Sequence, residues 1–283
     1  MEYVTLNNGV QMPIIGFGVF QIPNDETCEK AVLDAISVGY RLIDTAQSYG
    51  NEEAVGNAIR KCGIPREELF ITSKVWISNA GYEKAKASIR RSLELLQVDY
   101  LDLMLIHQPM SDYYGTYQAM EELYREGVLR AIGVSNFYPD RLADLTIFCE
   151  VVPAINQVET NPFHQQIKAH EMMKKFNIQQ EAWAPFAEGR NDMFHKPLLQ
   201  RIADRHHKSV AQVILRWLTQ RGIVALAKST HKERMKENID IFDFQLSDEE
   251  LHSIAELDRK ESSFFDHYDP EAIERLANLV RNT

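Results

Sequence analysis

The chain has 283 residues, 45% of them hydrophobic, and a formal net charge of −10. That length and apolar content suit one large α/β barrel, or two small domains, with ample core. The acidic balance argues against broad nucleic-acid binding, which rests on neutralising phosphates, and no apolar run approaches the ~18 residues of a membrane span.

The opening Met1-Glu2-Tyr3-Val4-Thr5 lacks the basic and apolar regions of a signal peptide, so a cytoplasmic protein is expected. Val4-Thr5-Leu6 and Val10-Gln11-Met12 then flank Asn7-Asn8-Gly9, whose Asn-Gly pair predicts the positive φ of a tight hairpin. Such a hairpin could plug one end of a barrel. Eight short apolar runs follow: Ile14–Phe17, Arg41–Asp44, Leu69–Lys74, Leu101–His107, Leu129–Val134, Ala154–Val158, Ile178–Trp183 and Gly222–Ala227. Amphipathic helices lie between them, clearest at Thr27–Val38, Gly81–Leu96, Tyr114–Glu126 and Val210–Gln220. Cys28, Cys62 and Cys149 are too scattered for a disulfide framework or a zinc site and read as reduced thiols.

Asp44, Lys74, His107, Ser135, Gln157 and Trp183 stand at successive strand ends, each step about one βα unit. Eight such units close a (β/α)8 TIM barrel, an α/β fold that takes ~250 residues. An open doubly wound sheet is the alternative arrangement. The expectation is one barrel domain over 1–283, with an N-terminal hairpin (1–13) and a C-terminal tail (260–283) near the pocket. In a barrel the βα loops converge at the C-terminal strand ends, so the chemistry belongs there.

Leu42-Ile43-Asp44-Thr45-Ala46-Gln47-Ser48-Tyr49-Gly50-Asn51-Glu52 carries a carboxylate and a phenol between a strand and a helix start. A phenol of pKa ~10 is a poor acid at neutral pH. A neighbouring ammonium lowers that value, and Lys74 is the candidate neighbour. A buried Lys needs a partner, and Asp44 can supply it. His107 alone reads more often as a satisfied core histidine than as a catalyst. Together the four make a proton donor and oxyanion site for a carbonyl that receives hydride from another group.

Five motifs in chain order resemble the aldo-keto reductase superfamily, most of all its prokaryotic branch with the 2,5-diketogluconate reductases. They are Asp44-Thr45-Ala46 with Tyr49, Asn51 and Glu52; Ser73-Lys74-Val75-Trp76; Leu105-Ile106-His107 with Pro109; Gly133-Val134-Ser135-Asn136-Phe137; and Asn156-Gln157-Val158-Glu159. The resemblance implies NADPH-dependent reduction of aldehydes or ketones, sugar-derived or dicarbonyl, by an Asp44, Tyr49, Lys74, His107 tetrad. It places Ser135, Asn136 and Gln157 on the nicotinamide carboxamide and Trp183 against the nicotinamide ring. It also places Pro185, Phe186, Glu188 and Gly189 over the pyrophosphate.

No GxGxxG is present, since Gly16-Phe17-Gly18 lacks a third glycine. Gly222 to Ser229 resembles a P-loop without its second glycine, which speaks against a triphosphate site. Lys228-Ser229-Thr230 with Arg234, Glu237 and Asn238 instead resembles the family's site for the NADP(H) 2′-phosphate and adenine. Phe20, Trp76, Gln108, Phe264 and Phe265 are the expected substrate pocket, with Gln108 where many relatives carry an aromatic. The expected partner is a small-molecule carbonyl, with no nucleic acid and no membrane, on a monomer or weak homodimer. No metal is implied. A cofactor-sensing module without turnover, a Schiff-base enzyme built on Lys74 and a scaffold are the competing readings.

Overall fold

The computed structural model describes residues 1–281. Two antiparallel strands open it, β1 (Tyr3–Thr5) and β2 (Gln11–Pro13). Eight parallel strands follow among the described residues: β3 (Ile15–Gly18), β4 (Leu42–Asp44), β5 (Phe70–Val75), β6 (Leu103–Ile106), β7 (Ile132–Ser135), β8 (Ile155–Glu159), β9 (Gln179–Trp183) and β10 (Val224–Ala227). They close in sequence order, with β10 pairing both β9 and β3. The barrel is therefore closed, and the doubly wound alternative is excluded.

The hairpin seals the N-terminal end, as its composition suggested. Leu6 and Met12 are buried against Leu42, Phe70, Leu103 and Val224. Asn7 Nδ2 donates to Pro153 O at 3.0 Å and Asn8 Nδ2 to Arg130 O at 2.9 Å. Gly9 supplies the positive φ of the turn, at 86°, and Asn8 takes none. The extra loop residue removes the need for a second left-handed position.

Alternation along the strands explains how one barrel is apolar below and polar above. Side chains two apart face the same way. Leu42 therefore sits under Asp44 on β4, and Leu103 and Leu105 lie under His107 on β6. The lower layers pack the barrel, and the last inward position of each strand is left for chemistry.

Amphipathic helices surround the barrel, each burying one face. Helix Tyr82–Leu96 buries Ala85, Ile89, Ser92 and Leu96, spaced for one helical face. Helix Val210–Gln220 begins at a capping box in which Ser209 and Gln212 satisfy each other's backbone N–H. Gly56, on helix Glu52–Lys61, marks a close approach to the next helix: a Cβ there would lie 2.5 Å from Leu95 O and 2.7 Å from Leu96 C. Gly56→Ala gains up to about 1 kcal/mol of helix propensity, but overpacking against backbone costs roughly 1–3 kcal/mol. Crowding should win, lowering the thermal midpoint by several degrees in an unfolding scan; an unchanged or raised midpoint would contradict this packing.

Candidate active site

The upper layer of the barrel contains a fully buried ammonium. Lys74, on β5, is 0% exposed, and its Nζ lies 2.6 Å from Asp44 Oδ1, 2.9 Å from Thr45 O and 3.4 Å from Tyr49 Oη. Tyr49 reaches it from the short turn Gln47–Tyr49 that follows β4. His107 completes the group, its ring edge-on to Tyr49 at 5.6 Å and to Trp76 at 5.0 Å between centroids. Phe20 packs on the other side of Tyr49, at 4.9 Å. The four expected tetrad residues are thus brought together, with Phe20 and Trp76 beside them.

The flanking motif residues hold this arrangement in place. Asn51 accepts from Thr45 Oγ1 at 2.8 Å and donates to Val19 O and Ile22 O, tying the β3 and β4 loops together. Glu52 accepts from Ser73 Oγ at 2.6 Å, behind Lys74. These residues appear in the motif because they fix the loop that aims Tyr49.

The electrostatics depart from expectation at one point. Burial alone would push Lys74 down, but the adjacent Asp44 and Tyr49 outweigh it and hold the ammonium above its usual range. Tyr49 was expected to be lowered by Lys74. Burial instead dominates and holds the phenol above its usual value, with Lys74 only offsetting part of the rise. His107 is pushed well below the imidazole range by burial and by Lys74, so it is neutral at physiological pH.

The expected nicotinamide residues cluster, but largely hydrogen-bond to one another. Ser135 Oγ donates to Gln157 O at 2.8 Å. Asn136, at φ 63°, donates to His107 O and Ser135 Oγ and accepts from Trp183 Nε1 at 2.9 Å. Gln157 Nε2 donates to Asp44 Oδ2 at 3.0 Å and to Glu181 Oε2 at 2.9 Å, which leaves Oε1 to meet a ligand. Glu181 was not anticipated. It is 0% exposed, and burial and Asp44 push its carboxyl up to about 8. The available signal was its place two residues before Trp183 on β9, hence on the same face.

The expected phosphate-binding loops are joined through Gln21. Lys228 and Arg234 are exposed on the loop and helix after β10, and helix Lys232–Ile239 has no side-chain cap on its N-terminal N–H groups. A cationic pair beside free helix N–H groups fits an anionic ligand. Thr230 and Glu237 are exposed there, and Asn238 is buried. Ser229 Oγ accepts from His231 N at 3.0 Å and donates to His231 O at 3.2 Å, within the loop that precedes this helix. Lys228 Nζ donates to Gln21 Oε1 at 3.3 Å, and Gln21 Nε2 donates to Glu188 Oε1 at 3.4 Å. Gln21, unforeseen in sequence, thereby joins the β10 loop to the loop of Pro185, Phe186 and Glu188. Phe186 packs at a tilt against Phe194 within that loop, 5.6 Å between centroids.

The C-terminal tail crosses the barrel mouth. Glu159 accepts from Ser262 Oγ and from Ser263 N, the latter at 2.9 Å. Phe264 packs on Trp183 at 5.2 Å and lies under the Arg190 guanidinium at 4.3 Å. Phe265 packs on His267, whose Nε2 is 2.8 Å from Gln108 Oε1. Phe264 therefore belongs to the Trp183 side of the mouth, and Phe265 to the Gln108 side. A Gln at 108 is explained by this buried polar contact, which an aromatic would lose.

The family model for the aldo/keto reductase family matches residues 14–259. The chain is 49% identical over 261 residues to a glyoxal reductase of Bacillus subtilis, covering 92% of this chain and 94% of that protein. It is 40% identical over 259 residues to the methylglyoxal reductase DkgA of Escherichia coli, covering 90% and 93% respectively. The solved aldo-keto reductase of Bombyx mori in complex with NADP superposes with a TM-score of 0.89 at 33% identity, covering 96% of each chain.

Removing one member of a buried ion pair leaves the other uncompensated, at a cost of about 3–5 kcal/mol. Lys74→Met should therefore destabilise strongly, and adding Asp44→Asn should recover much of the loss. Denaturant unfolding of the single and double variants checks this; a Lys74→Met loss below about 1 kcal/mol would show that the pair is not buried as described.

Proposed function

This chain belongs to the aldo/keto reductase family, and we propose that Tyr49, Lys74, Asp44 and His107 are the residues that reduce its substrate carbonyl. The activity is NADPH-dependent reduction of aldehydes and ketones to alcohols. The observation that carries the assignment of residues is the Lys74 ammonium, buried between Asp44 and the Tyr49 hydroxyl at the barrel mouth.

NADPH, when bound, supplies the hydride. Trp183 would lie against its nicotinamide, and the free Gln157 Oε1 would accept from its carboxamide. Ser135 and Asn136 would shape that pocket through their bonds to Gln157 and Trp183. Lys228 and Arg234 would hold the 2′-phosphate. Pro185, Phe186 and Glu188 would close over the pyrophosphate, with Gln21 as the tie.

Tyr49 is a neutral phenol here and can donate its proton to the carbonyl oxygen as negative charge develops there. Lys74 stabilises the resulting tyrosinate, and Asp44 keeps Lys74 charged and oriented. His107 is 3.2 Å from Ser48 Oγ through Nδ1. With Nδ1 accepting from that hydroxyl, Nε2 carries the proton and can donate to the substrate oxygen. Phe20, Trp76 and Gln108 would line the substrate side. The names of the bacterial relatives favour small dicarbonyls such as 2-oxoaldehydes over bulky ketones.

Tyr49→Phe should retain the fold and cofactor affinity while losing about 10²–10⁴ in the rate of aldehyde reduction. Near-normal reduction of an unactivated aldehyde by this variant would overturn the role.

Wild type should prefer NADPH over NADH, with each charge-assisted phosphate contact contributing roughly 1.5–3 kcal/mol. Fluorescence titration of both cofactors, with Arg234→Ala for comparison, measures this; equal wild-type affinity for the two would remove the phosphate site from the reading.

A further inference from the structure

Among the described residues, two carboxylates, Asp44 and Glu181, share the layer of the barrel interior that holds the one ammonium, Lys74. Asp44 Oδ1 meets Lys74 Nζ at 2.6 Å, and Asp44 Oδ2 accepts from Gln157 Nε2 at 3.0 Å. Glu181 Oε2 accepts from that same Gln157 nitrogen at 2.9 Å, so both N–H bonds of one amide are shared between the two acids. Glu181 Oε1 is buried and has no hydrogen-bond partner. Glu181 is thus without a salt bridge and without a second donor, at 0% exposure. An ionised carboxylate in such a place is strongly disfavoured, and of the two acids it is Glu181 that keeps a proton.

The charged and titratable groups facing Glu181 are few. Asp44 comes from β4, Lys74 from β5 and Tyr49 from the turn after β4; all three act on it or are acted on by it electrostatically. From β8 it faces Gln157, in register beside it, and Glu159, one layer further out, which turns to Ser262, Ser263 and Asn161. From β10 its register partner is Val224, and the inward Gly16 of β3 packs against Leu42 and Leu226, so neither strand brings a charge. Glu181 plays no part in the tetrad chemistry described above.

We propose that Glu181 is a positioning residue that holds a proton in the working enzyme, and that its ionisation in alkaline solution slows carbonyl reduction by adding a negative charge behind Tyr49 and Lys74. This rests on the reductase reading of the site. A second unbalanced negative charge makes the Tyr49 phenol a weaker donor, because tyrosinate forms next to it. It also draws Lys74 toward the carboxylates and away from the phenol. Protonated Glu181 leaves Asp44 and Lys74 as a neutral pair, the state in which Lys74 best supports proton donation. No electron or group is transferred by Glu181; it gains or loses one proton to solvent.

Glu181→Gln keeps the shape of the protonated acid and cannot ionise. Two measurements on wild type and E181Q test the proposal. The first is the thermal midpoint of the cofactor-free protein against pH. Folding holds the Glu181 carboxyl above its unfolded value of 4.5, so wild-type stability from this group is present at acid pH and is lost as pH rises toward about 8. The midpoint of E181Q should therefore gain on that of wild type between pH 5 and pH 8. The second is the pH profile of kcat for aldehyde reduction. Near pH 9 the wild type should fall to about a tenth of its pH 7 rate, whereas E181Q should keep most of its own.

Superimposable rate profiles overturn the proposal, even if the stability difference is present, and so does a stability difference that is constant with pH. A wild type inactive with NADPH on any carbonyl would instead overturn the reductase reading, and the midpoint comparison would still decide whether Glu181 holds its proton. If E181Q does not fold, infrared titration of a Glu52→Gln protein, free of the other raised buried carboxyl, reads the same proton. A carboxylic-acid carbonyl band lost in mildly alkaline solution supports the proposal, and no such band at pH 7 overturns it.

Discussion

An ammonium with no exposed surface is the constraint on which the rest of this barrel mouth depends. Taking Lys74 out of water costs several kcal/mol unless good partners replace the lost hydration. Asp44, Thr45 O and the Tyr49 hydroxyl do so, each from a different point around the β4 and β5 strand ends. Asp44 then requires a second donor, which is Gln157 from across the barrel, and Gln157 draws in Glu181. Barrel register is therefore an electrostatic requirement. A one-residue slip between strands would turn these groups outward and leave the ammonium among leucines.

Above this floor lie the loop that follows β9 and the C-terminal tail. Ala184, Ala187, Glu188, Asn191 and Asp192 all take positive φ in the segment following β9, a strained course for side chains with a Cβ. The tail over residues 262–267 is held by side chains of Glu159, Arg190, Asn191, Trp183, Tyr138 and Gln108. Strand ends supply fixed geometry, while loops supply the surfaces around it. Asn136 joins the two regions: its left-handed backbone aims one amide at both the His107 carbonyl and the Trp183 indole.

Much of the tetrad was legible before the fold, and the reason is local. Asp44, Lys74 and His107 lie at or next to strand ends whose apolar runs can be read directly, and Tyr49 lies a short distance beyond one of them. The direction of the Tyr49 shift was not legible. It is set by competition between burial and one cation, and burial is a property of the closed barrel. Gln21, Ser48 and His267 carried no spacing signal at all, since their partners are 167, 59 and 159 residues away in the chain.

What the sequence determined by itself was the set of elements and which face of each would be buried, because strand and helix periodicity are properties of neighbouring residues. Through its motifs it also determined which side chains would stand at the strand ends. What only the tertiary structure decided was how those side chains share protons and hydrogen bonds. One Gln157 amide serves two acids from different strands, and one ammonium balances only one of them. Charge in a closed interior depends on every group facing the same small volume, and no stretch of chain contains that information alone.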